Sequence, residues 1–462
     1  MKMKHGLVNR LSLYLAFTLL LVVTSCKNDD NDGDSSNKLE LSKPTAEFSA
    51  SLPQNWMQEA YNIVKREGWL ALDGSRAYAY TAIAMHESMV HGIPNGRSLE
   101  GQLKGLSNLP KPSPEKQYDW GLVLCHVAPK VLLGTMPSTM TQESRNKIAA
   151  LEDYQEQVLT RENSVSAEVQ SNSMEFGDQL AKAILDWSKG DNRYGLEAIP
   201  YTEPSRVGKE YYWSGDYGHG VVHKPMMPFW WTQRTFVINS HSLCEPEAPL
   251  AYSEDPNSAY YKEVKEVYDA SLDPAKVAIG NYWANNPNVS GSPAGSWLNI
   301  STQLVNQLNL DITTTLRMFT LLTISTRDGF IASWYLKYKY YLQRPVTYVR
   351  DVISRDIPAA KNWTSPVPTP PYPDYTSGTS VNGGSSSTML TRLFGDNVKF
   401  SDAQHADKGF GVRQFNSFRE AGIEAFHSRI FGGVHMRRAC AKGFEQGSCV
   451  ANNIYDTLKF TK

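Results

Sequence analysis

The chain has 462 residues and a formal net charge of −1, so it lacks the basic excess of proteins that bind nucleic acid over a broad surface. Aromatic residues make up 11% of it, with 24 Tyr and 11 Trp, which suits a large packed interior and aromatic-lined clefts but names no ligand.

The chain opens with Lys2, Lys4 and Arg10. An apolar stretch from Leu11 to Val23 follows, too short for a comfortable membrane span, and then the small-residue site Val23-Thr24-Ser25-Cys26. This is the pattern of a bacterial lipoprotein signal. Residues 1–25 are expected to be removed, leaving Cys26 lipidated as an anchor in the membrane. Residues 26–45 read as that Cys and an acidic, flexible tether, and residues 46–462 as one helical domain. Similar acidic stretches follow the lipid Cys in surface lipoproteins of Bacteroidetes-like bacteria, so an outer-membrane or periplasmic lipoprotein displayed at the cell surface is expected.

Apolar residues recur at three- and four-residue spacing over 55–67, 74–91, 115–134, 139–161 and 165–188, which predicts helices. Residues 190–245 are rich in Gly, Pro and aromatics and should form long loops over a cleft. Helices resume over 256–270, 297–309 and 311–343. Residues 346–384 read mostly as loop, and 385–394, 415–430 and 434–443 as helix. The fold expected is all-α. Of the cysteines beyond Cys26, Cys125 lies in an apolar run and reads as a buried thiol. Cys440 and Cys449 are the expected disulfide, because only eight residues separate them and export permits the bond.

Three blocks in the last third carry the chemistry. In the first, Lys337 and Arg344-Pro345, seven residues advance about 700° along a helix, so both cations should share one face and reach one anion. In the second, Ser377-Gly378-Thr379 follows a Pro-rich run and offers a hydroxyl and unhindered amides ahead of a helix, the usual means of holding an anion. In the third, Arg429 and His435 are six apart and would diverge on an unbroken helix. Gly432-Gly433 between them permits a helix end with positive φ. Arg429 supplies a planar fork for two oxygens, and His435 a ring nitrogen able to attack phosphorus or bond vanadium.

This combination resembles the superfamily of type 2 phosphatidic acid phosphatases and vanadium-dependent haloperoxidases, whose pattern is K-x6-RP, then PSGH, then SR-x5-H-x3-D. Upstream, Arg76 to Glu87, Ile279-Gly280-Asn281-Tyr282-Trp283 and Pro293-Ala294-Gly295-Ser296-Trp297 resemble the soluble haloperoxidase branch. The resemblance implies a large helical domain built from two helix bundles, with long loops over an oxyanion cleft. It implies that Lys337, Arg344, Ser377, Gly378 and Arg429 bind oxyanion oxygens, with Thr379 beside them. His435 would be the apical vanadium ligand if vanadate is the cofactor, or the nucleophile if phosphate is the substrate group.

Three departures stand out. Thr379 occupies the place of the acid-base His of PSGH, and Ala439 the place of the Asp that would orient the imidazole. Ser296 stands where the haloperoxidase branch commonly has His. Groups that bind are kept while groups that move protons are missing, and loss of a positioned acid or base typically costs about 10²- to 10⁴-fold in rate. His427, His219 or His223 is expected to substitute, with His427 counted beside His435 and Arg429 as catalytic. Three readings stay open for the small-molecule chemistry: a vanadate-dependent peroxidase, a phosphatase working through phosphohistidine, and a phosphate-ligand binder without turnover. His86, Glu87 and His91 do not read as a metal site, because five residues turn a helix by about 140° between the two imidazoles.

Overall fold

The computed structural model describes residues 37–218 and 220–462, and helices dominate them. The expected lipoprotein signal, Cys26 and residue His219 lie outside the described residues. The first helices are α1 (Ser51–Glu67), α2 (Ala71–Met89), α3 (Trp120–Thr135), α4 (Gln142–Glu162) and α5 (Ala167–Lys189). After a long irregular stretch come α6 (Ala259–Ala270), α7 (Pro274–Tyr282), α8 (Ser292–Gln307), α9 (Ile312–Tyr340) and the short α10 (Pro345–Tyr348) and α11 (Ser354–Asp356). The chain ends with α12 (Gly378–Phe394), α13 (Phe418–Phe431) and α14 (Arg437–Thr457). Between α12 and α13 a two-stranded ribbon pairs β1 (Phe400–Asp402) with β2 (Arg413–Phe415). Side-chain oxygens of Asp119, Thr141, Ser166, Ser258, Asp273, Asp311, Ser377 and Ser417 accept first-turn amides, which fixes where these helices begin.

Several boundaries depart from the periodicity. Residues 37–45, assigned to the tether, lie on the body: Leu39 N donates to Pro114 O, and the buried Thr45 hydroxyl donates to Met89 O at 2.6 Å. Helix α7 is not among the elements that periodicity predicts because it is only nine residues long, yet Asp273 caps it and Pro274 opens it. Helix α12 starts at Gly378, seven residues before the expected position, because Ser377 is its N-cap.

Among its described residues the segment 190–245 is long loop, as expected, broken by short 3₁₀ turns and isolated bridges, and it is pinned by two buried carboxylates. Asp328 of α9 accepts the amides of Phe236 at 2.7 Å and Val237 at 2.9 Å. Asp191 accepts Arg76 Nε of α2 at 2.8 Å and Arg327 Nη2 of α9 at 3.0 Å. A loop so long would otherwise be costly to order, and these charge-assisted bonds hold it against the helices.

Apolar burial falls into two cores. The larger runs through α1–α5, α8 and the body of α9 up to Trp334. The smaller, rich in tyrosine, gathers Trp213, Tyr260, Leu336, Tyr341, Tyr348, Tyr375 and Met436. Helix α9 passes from one to the other between Trp334 and Leu336, so Lys337 is delivered to the seam. Helices α12 and α14 cross at glycines: a Cβ on Gly384 would meet Phe444 O at 2.1 Å, and one on Gly447 would meet Val381 O at 2.0 Å. Only glycine lets the two backbones approach this closely.

Candidate oxyanion site

The seam between the cores collects the residues of the three blocks. Lys337, Arg344 and Ser377 are 0% exposed, His435 2% and Arg429 4%, so the whole group is removed from water.

Each residue arrives by a local device. Helix α9 stops at Tyr340 because Tyr341 takes a left-handed conformation (φ 51°) and donates its amide to Lys337 O. Arg344 therefore sits beyond the helix, in extended backbone ahead of Pro345, and not on the helix face with Lys337 as the seven-residue spacing suggested. A residue before proline avoids the helical region, which explains the break. Leu342 and Gln343 run extended between two neighbours, with Gln343 N donating to Tyr211 O and Asp374 N donating to Leu342 O. At the third block, α13 ends at Phe431 and Gly433 adopts φ 79°, turning the chain so that Val434 N and His435 N both donate to Arg429 O. The Gly-Gly break thus brings Arg429 and His435 together as its sequence implied.

Arg344 Nε donates to Tyr372 O at 2.7 Å and Nη1 to Val434 O at 2.8 Å. Its Nη1 is 3.0 Å from His435 Nε2 and 3.3 Å from Nδ1, nearly equidistant, which places it over the ring instead of at the edge of either nitrogen. The Tyr372 ring lies under both cations, 4.7 Å from the Arg344 guanidinium carbon and 4.9 Å from Lys337 Nζ. Lys337 Nζ donates to the carbonyls of Pro373 and Asp374 at 3.1 and 3.2 Å and also to that of Thr376. It clamps the segment ahead of Ser377 and acts on the seam as a nearby charge. Ser377 Oγ accepts the Ser380 amide and, at 2.9 Å, the Ser380 hydroxyl, and Gly378 opens the seventeen-residue helix behind it. Two guanidinium nitrogens, Arg344 Nη2 and Arg429 Nε, are buried with no partner among the described residues.

Sequence reasoning did not select Asp374. Its Oδ1 is 2.7 Å from His435 Nδ1 and 3.6 Å from Arg344 Nη1, and it is fully buried. One signal was available: Asp374 is the single charged residue between Lys361 and Arg392. One upstream motif also reaches the site. Trp283, at the end of the unforeseen α7, turns its carbonyl toward Arg429 Nη1 at 3.5 Å and packs its ring against Trp297 of α8, with centroids 6.1 Å apart. Ser296 hydrogen-bonds Gln404 at 2.8 Å and lies outside the cage.

The imbalance of charge is visible in the ionisation of the site. Burial, then the Arg344 charge, drives the Lys337 ammonium well below its ordinary range. Burial and then Arg344, Lys337 and Arg429 drive His435 well below its own. Burial pushes Asp374 up to about 7, against the pull of Arg344 and Lys337. Cys440, on the first turn of α14, is likewise pushed up to about 12 by burial. A multiply charged anion would relieve the cationic strain on Lys337 and His435 together.

Two expectations are corrected here. His427 is not part of the cage: two residues on a helix turn it about 200° from Arg429. Its ring stacks on Phe426 at 4.2 Å and Phe431 at 5.8 Å, and its Nε2 lies 3.4 Å from Arg437 Nη1 in an open groove beside Glu266. The disulfide joins Cys244 to Cys449, with Cα atoms 5.7 Å apart, while Cys440 is a free buried thiol. Cys440 and Cys449 lie nine residues apart on one helix, an advance of about 900°, so they face opposite sides and cannot pair. Thr379 is half-buried on the first turn of α12 with no side-chain hydrogen bond among the described residues, and the His223 ring packs at a tilt against Tyr217, with centroids 5.2 Å apart.

A model of the second helical-bundle domain of vanadium chloroperoxidase (VCPO) matches residues 317–461, the stretch that contains all three blocks. These residues and the relatives that follow support the haloperoxidase-like superfamily for this chain. Within it, the vanadium chloroperoxidase of Curvularia inaequalis is 24% identical over 344 residues, covering 62% of this chain and 55% of that protein. The chain thus spans about half the length of that curated relative. The structure of a bacterial vanadium-dependent iodoperoxidase superposes with a TM-score of 0.80 at 28% identity, covering 91% of this chain and 99% of the other. An apo-type bacterial vanadium-dependent chloroperoxidase shares the fold, with a TM-score of 0.63 at 16% identity over 84% of this chain and 94% of that one. The haloperoxidase-like fold is all-α, as the helical periodicity implied.

Proposed function

We propose that this chain holds vanadate in the seam and works as a vanadium-dependent peroxidase on a small halide, with iodide the first candidate. The observation that carries the proposal is the pair of unpartnered buried donors, Arg344 Nη2 and Arg429 Nε, beside His435. Orphaned donors inside a protein are rare and costly, and a tetrahedral oxyanion satisfies both. The donor set fits the group: two guanidinium forks, an ammonium, a helix N-terminus behind Ser377 and Gly378, and one imidazole.

When bound, vanadate supplies Lewis-acid activation of hydrogen peroxide toward halide oxidation. Arg344 and Arg429 bind its oxygens, and Lys337 adds charge while fixing residues 373–376. Ser377 and the amides that follow it complete the oxygen contacts. His435 offers Nε2 to vanadium because its Nδ1 edge is turned to Asp374. The low exposure of these groups keeps water from competing with the oxyanion. Iodide is favoured because it is the halide most easily oxidised and so asks least of a site with Thr379 in place of an acid-base imidazole. The iodoperoxidase likeness agrees with that choice. The lipidated Cys26 and export to the outer membrane or periplasm are proposed with it, since the substrates are small and diffusible.

The test is an iodide oxidation assay with peroxide, run with vanadate, with phosphate and with neither. Activity that requires vanadate and is suppressed by phosphate supports the proposal. Release of phosphate from an aryl phosphate, inhibited by vanadate, would assign the site to phosphoryl transfer. Failure of both, with anion-dependent thermal stabilisation, would assign it to ligand binding alone.

A further inference from the structure

We infer that Asp374 is the positioning residue for His435, supplied from the segment before Ser377 in place of the acidic partner that the sequence lacks at Ala439. The inference rests on the proposed role of His435 as the ligand of the oxyanion, and it concerns which ring nitrogen is free to act.

Position 439 is a buried alanine on the first turn of α14, and it cannot orient an imidazole. Its backbone has a different task, since Ala439 O accepts the Ser377 amide at 3.0 Å. The carboxylate that does reach the ring comes from 61 residues upstream. Asp374 Oδ1 lies 2.7 Å from Nδ1, within hydrogen-bond distance. Three further contacts fix residue 374. Its amide donates to Leu342 O, its carbonyl accepts Lys337 Nζ, and the Met436 amide, next to His435, faces its carboxylate.

Neither oxygen of Asp374 has an aligned donor among the described residues. Catalytic contacts of this kind commonly tighten only in the liganded complex. Arg344 Nη1 lies over the ring, nearly equidistant from both nitrogens, and selects neither. The carboxylate of Asp374 does, because it lies against Nδ1 and leaves Nε2 for the anion. A histidine that ligates a metal typically donates its other N–H to a carboxylate or carbonyl, which fixes the tautomer. Asp374 would impose the proton on Nδ1, with the lone pair on Nε2.

The experiment is ¹⁵N NMR of the histidine-labelled full chain, with His435 assigned by its loss in His435→Gln. The tautomer readout uses neither vanadate nor peroxide, so it can fail while the peroxidase reading stands, and the reverse; vanadate affinity is measured separately. The expected result is a single tautomer of His435 protonated on Nδ1. In Asp374→Asn the side-chain amide can donate to Nδ1, which should move the proton to Nε2 and weaken vanadate binding by about 10- to 100-fold. A wild-type His435 protonated on Nε2 would overturn the inference even if the variant failed to fold. So would an Asp374→Asn chain with unchanged tautomer and affinity, which would leave the ring to the backbone carbonyl of residue 374.

Discussion

The amide of Ser377 donates to the carbonyl of Ala439 at 3.0 Å, tying the residue that caps α12 to the first turn of α14. Two of the sequence blocks are therefore held in register by one backbone bond, and the distance from Ser377 to His435 is a property of how α12 and α14 pack.

That packing is testable at Gly447. A methyl there would meet Val381 O at 2.0 Å and Ser385 N at 2.8 Å, both backbone atoms that cannot step aside. Gly447→Ala is expected to destabilise the fold by about 1–3 kcal/mol through overpacking. Urea unfolding of the variant measures this directly; an unchanged midpoint would mean that the helices can separate freely.

Arg429 separates binding from stability. Among the described residues its Nε is unpartnered and its Nη1 has the Trp283 carbonyl alone, at 3.5 Å, so the fold gains little from its charge. Arg429→Met should leave thermal stability without oxyanion unchanged or raised, because removing a poorly compensated buried charge is favourable. The same change should weaken vanadate or phosphate affinity by about 10- to 100-fold, the value of one or two charge-assisted bonds. Calorimetric titration and melting on the same preparation report both quantities.

A pH dependence arises far from the seam, at His86. Burial lowers its imidazole to about 4, while the unfolded chain keeps the ordinary 6.5. Between these values the unfolded state binds more protons, so this residue's contribution to stability falls as pH drops from 6.5 and is fully lost below 4. The neighbouring Glu87, raised to about 7 by burial, acts with the opposite sign, losing stability as pH rises from 4.5 through 7. His86→Gln isolates the histidine: the wild-type-minus-variant difference in unfolding free energy should change by about 3 kcal/mol between pH 7 and pH 4.

The Cys244–Cys449 bond joins residues 205 apart, linking the long loop segment to α14. Cys449→Ser is expected to cost about 2–4 kcal/mol, and Cys440→Ser to leave the denaturation midpoint in oxidising buffer independent of disulfide loss. Peptide mapping under non-reducing conditions would show the 244–449 pair, and a 440–449 pair would contradict the structure.

The helical class, the order of the long helices and the three blocks that gather at the seam were legible in the sequence, because periodicity and short-range spacing are local properties. The Gly432-Gly433 break is a good case: the need for positive φ could be read directly, and Gly433 supplies it. What was not legible depended on the third dimension. Lys337 and Arg344 reach the seam from a helix and from the extended chain beyond it, because Tyr341 and Pro345 override the seven-residue repeat. Asp374 meets His435 through tertiary contacts that hold residue 374 against Leu342 and Lys337, and no spacing rule connects residues 61 apart. His427 and the Cys440–Cys449 pair fail for one shared reason: closeness along a helix is not closeness around it. Helix α7 escaped notice because nine residues give too little periodicity, although its Asp273-Pro274 start was a usable sign.

The central claim is that separated cations and one imidazole converge on a single tetrahedral oxyanion. A crystal structure of the full chain grown with vanadate tests it most directly. The account predicts vanadium bonded to His435 Nε2, with oxygens within hydrogen-bond distance of Arg344 Nη2 and Arg429 Nε. Vanadate bound elsewhere, or a seam that stays closed around Arg344 and His435 at saturating vanadate, would contradict it.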